Sequence, residues 1–171
     1  MKKDINVWEY AEKILTEVSK SALLVTKSGD EVNAMTIGWG TLGVEWNKPI
    51  FISFVRQHRH SWKLLQENPE FTICLPLNED ADKIFAYCGS ASGKDTNKIA
   101  DLGLTLVEPS IISVPAVREL PLTLECRIIY TQPQDPAAIP DGPKNQFYDD
   151  SVPGDYHDAF YAEIVAAYIV E

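Results

Sequence analysis

Cysteine is scarce and unpaired in this chain of 171 residues: Cys74, Cys88 and Cys126 form an odd set with no Cys-x-x-Cys spacing. That points away from a disulfide framework and from a zinc site. Cys74 and Cys126 fall inside apolar strand patterns, where a thiol behaves as a small buried hydrophobe. Basic residues are outnumbered, with 15 Lys and Arg against 25 Asp and Glu and a net charge of −10. A polyanion is bound by clustered cations that displace its counterions, so nucleic acid is an unsuitable partner. A small phosphate ligand is still compatible, since one pocket can be positive on a negative protein. No apolar run is long enough to cross a bilayer, and Asn6, Glu9, Glu12 and Lys13 interrupt the stretch a signal peptide would need. The expectation is a cytoplasmic protein that engages no membrane.

The chain also lacks a recognisable catalytic set. His58, His60 and His157 are too dispersed for metal ligation, and the Asp-rich stretch around Asp149, Asp150 and Asp155 reads as a solvated loop. Gly89-Ser90-Ala91-Ser92-Gly93-Lys94 has too few residues between its glycines for a phosphate-binding Walker loop, and Asp95 follows the lysine. Ala91 occupies the position where a hydrolase elbow needs serine. A chain without nucleophile, base or metal set is suited to a bound cofactor that carries the chemistry.

Hydrophobic residues make up 45% of the sequence, and the length suits one domain spanning 1–171. Trp8, Ala11, Leu15 and Val18 recur at helical spacing and predict an amphipathic helix within residues 1–20. Ala22 to Thr26 and Val32 to Trp39 flank the turn residues Lys27-Ser28-Gly29-Asp30, a hairpin pattern. Ile50 to Val55 and Phe71 to Leu75 are further strands, separated by a helix from Ser61 to Asn68 that Pro69 closes. Helices are predicted over Asp80 to Tyr87 and Thr96 to Leu102. Leu122 to Tyr130 alternates as a half-buried strand, and Phe160 to Val170 has the two-sided apolar character of a buried one, in part against another subunit. Residues 133–156 form a Pro- and Asp-rich excursion. Many short strands without regular strand-helix alternation favour an antiparallel barrel.

Along Asn33 to Gly40, one face carries Asn33, Met35, Ile37 and Trp39 and the other only Ala34, Thr36, Gly38 and Gly40. The second face admits a close neighbour, either a planar ligand or another backbone. Trp39 and Trp46 fit a core or a ligand wall equally. Arg56, Arg59 and Ser61 surround a helix start, where guanidinium forks, a hydroxyl and free N–H groups suit a phosphate, or else form a solvated cap. The loop through Ser92, Gly93 and Lys94, with Lys98 nearby, is able to form an anion nest.

Taken in order, Asn33-Ala34-Met35-Thr36-Ile37-Gly38-Trp39, Arg56-x-x-Arg59-x-Ser61, Gly89-x-x-Ser92-Gly93-x-Asp95-Thr96-x-Lys98 and Tyr156-His157 resemble the flavin reductase-like, FMN-binding split-barrel family, in particular its flavoredoxin branch. The resemblance extends from about Ser21 onward, and the Pro-rich stretch is longer than in many relatives. It implies a mainly β fold, an antiparallel Greek-key split β-barrel with a few peripheral helices, usually a homodimer. By the same resemblance Met35, Thr36, Ile37, Gly38 and Trp39 would line the flavin ring, Arg56, Arg59 and Ser61 would hold its phosphate, Ser92, Gly93 and Lys98 would close over it, and His157 would approach from the C-terminal side. The implied activity is hydride transfer from NADH or NADPH to FMN. Alternatives are an electron carrier served by a redox protein and a flavin-free binding module.

Overall fold

The computed structural model describes residues 1–78 and 80–171. Strand β1 (Lys2–Asp4) leads into helix α1 (Ala11–Lys20), followed by β2 (Ala22–Ser28), β3 (Glu31–Ile37), β4 (Gly40–Glu45), β5 (Lys48–Arg56), α2 (His60–Glu67) and β6 (Glu70–Leu75). Helices α3 (Asp82–Ser90) and α4 (Lys98–Leu102) come next, then the short pair β7 (Leu106–Val107) and β8 (Ala116–Val117). The long strands β9 (Leu122–Pro133) and β10 (His157–Val170) are joined through a 3-10 turn at Pro136–Ala138 and helix α5 (Asp141–Phe147).

The main sheet has eight strands in the order β3-β2-β6-β9-β10-β5-β4, with β1 added alongside β10. Every pairing is antiparallel. Because β9 and β10 slot between β5 and β6, the path is a Greek key, and β3 and β4 remain the two ends of a split barrel. No helix of the described residues is long and apolar enough to cross a membrane.

Strand β2 shows why the sheet needs cover on two sides. Ala22 and Leu24 join the inner core with Phe51, Phe71, Leu122 and Phe160, whereas Leu23 and Val25 face the outer cluster with Cys74, Leu104, Val114 and Tyr168. The outer cluster is roofed by α3, α4 and the segment through β7 and β8. All three thiols are free and buried, as the apolar patterns suggested for Cys74 and Cys126. Burial pushes the Cys74 thiol up to about 12.

The hairpin turn is tight, with Ser28 opposite Glu31 and Gly29 at φ 56°, a left-handed conformation that glycine adopts without strain. Two expectations need correction. The helix expected within residues 1–20 starts only at Ala11, after residues 2–4 have paired with β10, and its buried face is Ile14, Glu17 and Val18, whereas Trp8 and Leu15 of the expected stripe are exposed. Residues 40–45, which lie between the strands expected over Val32 to Trp39 and Ile50 to Val55, form a further strand, β4, turning into β5 through Trp46 and Asn47 at φ 49° and 59°. That two-residue turn matches the twist of a hairpin.

Candidate functional site

Strand β3 ends the sheet, so one of its edges has no strand partner. The Ala34 carbonyl on that edge accepts a hydrogen bond from Lys98 Nζ at 2.8 Å. By the alternation of an antiparallel ladder, the N–H and C=O of Thr36 lie on the same edge. The small face of β3 is not the open surface: Thr36 Oγ1 donates to Phe85 O at 2.6 Å, and a Cβ on Gly89 would stand 3.5 Å from Thr36 Cβ. Of the two close neighbours that face admits, the backbone of α3 has taken the place.

Two clefts open beside β3. The first is lined by Met35, Thr36, Ile37, Gly38 and Trp39, with Phe54, Arg56, Arg59 and His157 across from them, and encloses about 500 Å³ including its mouth. Its neighbour, of the same volume, is lined by Asn33, Met35, His58, Arg59, His60, Ser61, residues 90–93 and Lys98. Met35 and Arg59 line both. The pair therefore forms one bent receptor with an apolar arm and a cationic arm.

The cationic arm is built at the junction of α2, β3 and α3. Arg59 stands at the N-cap of α2, and its guanidinium donates to Gly89 O at 3.1 Å and Cys88 O at 3.3 Å. Lys98, at the start of α4, is almost fully buried and donates to Ala34 O and Cys88 O. Burial, reinforced by the Arg59 charge, pushes the Lys98 ammonium down to about 8, and burial with the neighbouring Arg56 charge also lowers Arg59. Among the described residues neither cation is paired with a carboxylate. Ser61 lies one residue inside α2 rather than at its cap, and its hydroxyl accepts from Asn33 Nδ2 at 2.9 Å. Gly93 is forced to be glycine by contact, since a Cβ there would fall 2.0 Å from Asn33 Oδ1.

Arg56 stands apart from that group. It lines the apolar arm, pairs through Nη1 with Asp155, donates from Nη2 to Phe147 O at 2.8 Å, and lies over the Tyr148 ring. Burial works to raise the Asp155 carboxyl, but the Asp149 N–H and Arg56 outweigh it and hold it below the usual range. His157 opens β10 beside Trp39, 5.2 Å between ring centroids, with Nδ1 at 2.9 Å from Tyr148 Oη. Burial and the Arg56 charge push its imidazole down to about 4.

Thus the structure gathers Met35, Arg59, Ser61, Ser92, Gly93 and Lys98 around one arm, and Thr36, Ile37, Gly38, Trp39, Arg56 and His157 along the other. Sequence reasoning missed the excursion's share. Residues 133–156 fold back so that Phe147 meets Trp39 edge-on at 5.0 Å and Asp155 reaches Arg56. Asn33, which meets both Ser61 and Gly93, opened the quoted motif but was given no role of its own.

A family profile for the flavin reductase-like domain matches residues 17–171. The chain belongs to that family. A relative from Archaeoglobus fulgidus, described only as an uncharacterized protein, is 27% identical over 125 residues, which cover 73% of this chain and 66% of the relative. The chain thus spans about two thirds of that relative's length. Among solved structures, flavoredoxin from Methanosarcina acetivorans is similar with a TM-score of 0.67 and 24% identity, over 88% of this chain and 68% of that one. The FMN-binding domain of a flavin reductases-like enzyme from Shewanella baltica OS155 gives 0.69 at 19% identity, over 99% and 77%. A further structure, from Shewanella frigidimarina NCIMB 400, gives 0.67 at 16% identity over 98% and 76% and is described as having a split barrel domain, in keeping with the fold expected from the sequence.

Proposed function

We propose that the protein is an FMN-dependent oxidoreductase that passes hydride from NADH or NADPH to bound FMN. The observation that carries this reading is the pair of half-buried Arg59 and buried Lys98, two cations that among the described residues donate only to carbonyls at the bend between the clefts. Buried charge without a counter-charge is costly, so the arm is complementary to an anion of small size. Its breadth suits a phosphate ester, and the adjoining arm suits a flat ring.

In this reading Arg59, Lys98, Ser61 and the Ser92–Gly93 loop hold the phosphate, with the first N–H groups of α2 favouring the same charge. Met35 to Trp39 supply the ring wall, and the unpaired β3 edge supplies main-chain donors and acceptors. FMN, when bound, supplies the hydride acceptor. The protein's own part is to orient the two reactants and to limit water, the positioning that converts a bimolecular step into an intramolecular one.

The edge-on packing of Phe147 on Trp39 favours a second reading. It backs one wall residue of the ring arm with an aromatic ring from the excursion, an arrangement that suits an electron carrier reduced by a protein partner. A homodimer is proposed as well, on the strength of the exposed Val44 and Trp46 at the free end of the sheet. Two measurements test these readings. Purified protein should be yellow and release FMN on denaturation, and a colourless protein that ignores added FMN refutes both. Anaerobic NADH or NADPH should bleach the flavin directly; bleaching only through a reduced protein selects the carrier.

A further inference from the structure

The excursion does more than cover the cleft, because its hydrogen bonds leave one protonation pattern for His157. The backbone N–H of His157 can only donate, and it donates to Gln134 Oε1 at 3.3 Å, which orients that amide with its oxygen toward β10. Tyr148 Oη lies 2.9 Å from the same oxygen and therefore spends its one proton there. The remaining contact of Tyr148 Oη is His157 Nδ1, also at 2.9 Å. Were the tyrosine proton given to Nδ1 instead, two acceptor oxygens would face each other at 2.9 Å without a hydrogen between them. The proton of this contact consequently sits on Nδ1.

Among the described residues no protein donor or acceptor meets His157 Nε2, and the ring lines the apolar arm. Burial favours the neutral ring, as does Arg56 nearby. We propose that Gln134 and Tyr148 hold His157 as the neutral Nδ1–H tautomer, so that its bare Nε2 makes this wall of the cleft an acceptor that selects co-substrates presenting an N–H or O–H. A primary carboxamide fits that requirement, and an ester of the same shape does not. Tyr148 and Gln134 are positioning residues that act through His157. The selection rests on the flavin reading; the tautomer does not.

Long-range nitrogen NMR of the protein without flavin, with the His157 signals assigned by His157→Gln, reads the tautomer. We expect Nδ1 protonated and Nε2 unprotonated near neutral pH, and a shift toward mixed tautomers in Tyr148→Phe. A hydrogen on Nε2 in the unaltered protein overturns the proposal, whether or not the variant folds. Nicotinamide and methyl nicotinate are then titrated into the FMN-loaded protein. Nicotinamide should move the Nε2 signal and bind about three- to tenfold more tightly, the scale of one hydrogen bond, with the preference lost in Tyr148→Phe. An Nε2 signal that moves for neither probe, or for both alike, overturns the selection. A protein that has the expected tautomer but binds no FMN refutes the flavin reading alone, and the two probes are then compared on the flavin-free protein.

Discussion

Arg59 Nη2 and Lys98 Nζ donate to one and the same oxygen, the carbonyl of Cys88, at 3.3 and 3.2 Å. A single neutral acceptor shared by two cations satisfies hydrogen bonding and leaves the charge unbalanced. The consequence is a site whose affinity for an anion depends on the proton of Lys98.

That dependence has a definite sign. The free site holds Lys98 at about 8, and a bound phosphate ester stabilises the ammonium, raising its pKa above that value. Affinity for FMN should be full below about 8 and decline as pH rises through the pKa of the free site. Fluorescence titration at several pH values, in Lys98→Met and in the unaltered protein, measures it. An equal alkaline decline in both proteins would remove Lys98 from the phosphate arm.

The two arginines should behave differently when truncated. Arg59→Ala takes a donor from the anion arm and should weaken FMN binding by about 1.5–3 kcal/mol, the range for a hydrogen bond to a charged group. Arg56→Ala instead strips Asp155 of its partner and frees Phe147 O, so its main cost should be stability, about 1–3 kcal/mol. Urea unfolding beside FMN titration separates the two outcomes. Equal loss of FMN affinity in both variants would show that the arginines act as one cluster.

Gly93 offers a steric test of the same arm. An alanine Cβ would meet Asn33 Oδ1 at 2.0 Å, and Asn33 cannot yield without releasing Ser61. Gly93→Ala should therefore weaken FMN binding at least tenfold, about 1.4 kcal/mol or more, while a loop of this exposure costs the fold little. Calorimetric titration with FMN and a thermal melt measure the two quantities, and unchanged affinity would detach the loop from the site.

How much of this was legible follows from the range of the interactions involved. Strands β2, β3, β5, β6, β9 and β10 announce themselves as short apolar or alternating runs, although β2, β6 and the first half of β9 are buried on both faces, and Gly29 marks the turn after β2. The grouping of Arg59, Ser61, Gly93 and Lys98 beside one cleft could be expected because a charge, a hydroxyl or the lack of a side chain sets each of them apart locally. Partnerships across the fold could not. Arg56 and Asp155 lie 99 positions apart, and only the antiparallel register that sets His157 opposite Arg56 brings the excursion's end to the end of β5. Strand β4 was obscured by Gly40 and Gly43, whose small size reads as a loop. Contact explains the first of them, since a Cβ on Gly40 would lie 2.6 Å from the Phe51 ring.

The environment of His157 also predicts how the fold responds to acid. Desolvation and Arg56 lower the ring's pKa, and Asp155 in the excursion and Asp158 on β10 oppose them, with His58 adding to the decrease; the balance stands at about 4 against 6.5 for an ordinary histidine. The unfolded chain thus binds the proton more tightly than the native one between those values. Stability is fully present above 6.5 and is lost as pH falls toward 4, by on the order of 2–3 kcal/mol from this group. Carboxylates titrate near the lower limit, so the comparison is best confined to values above about 4.5. Within that window the urea midpoint should fall less steeply for His157→Gln than for the unaltered protein. Parallel slopes would mean that the imidazole takes up its proton in the folded state, which desolvation and the nearby guanidinium oppose.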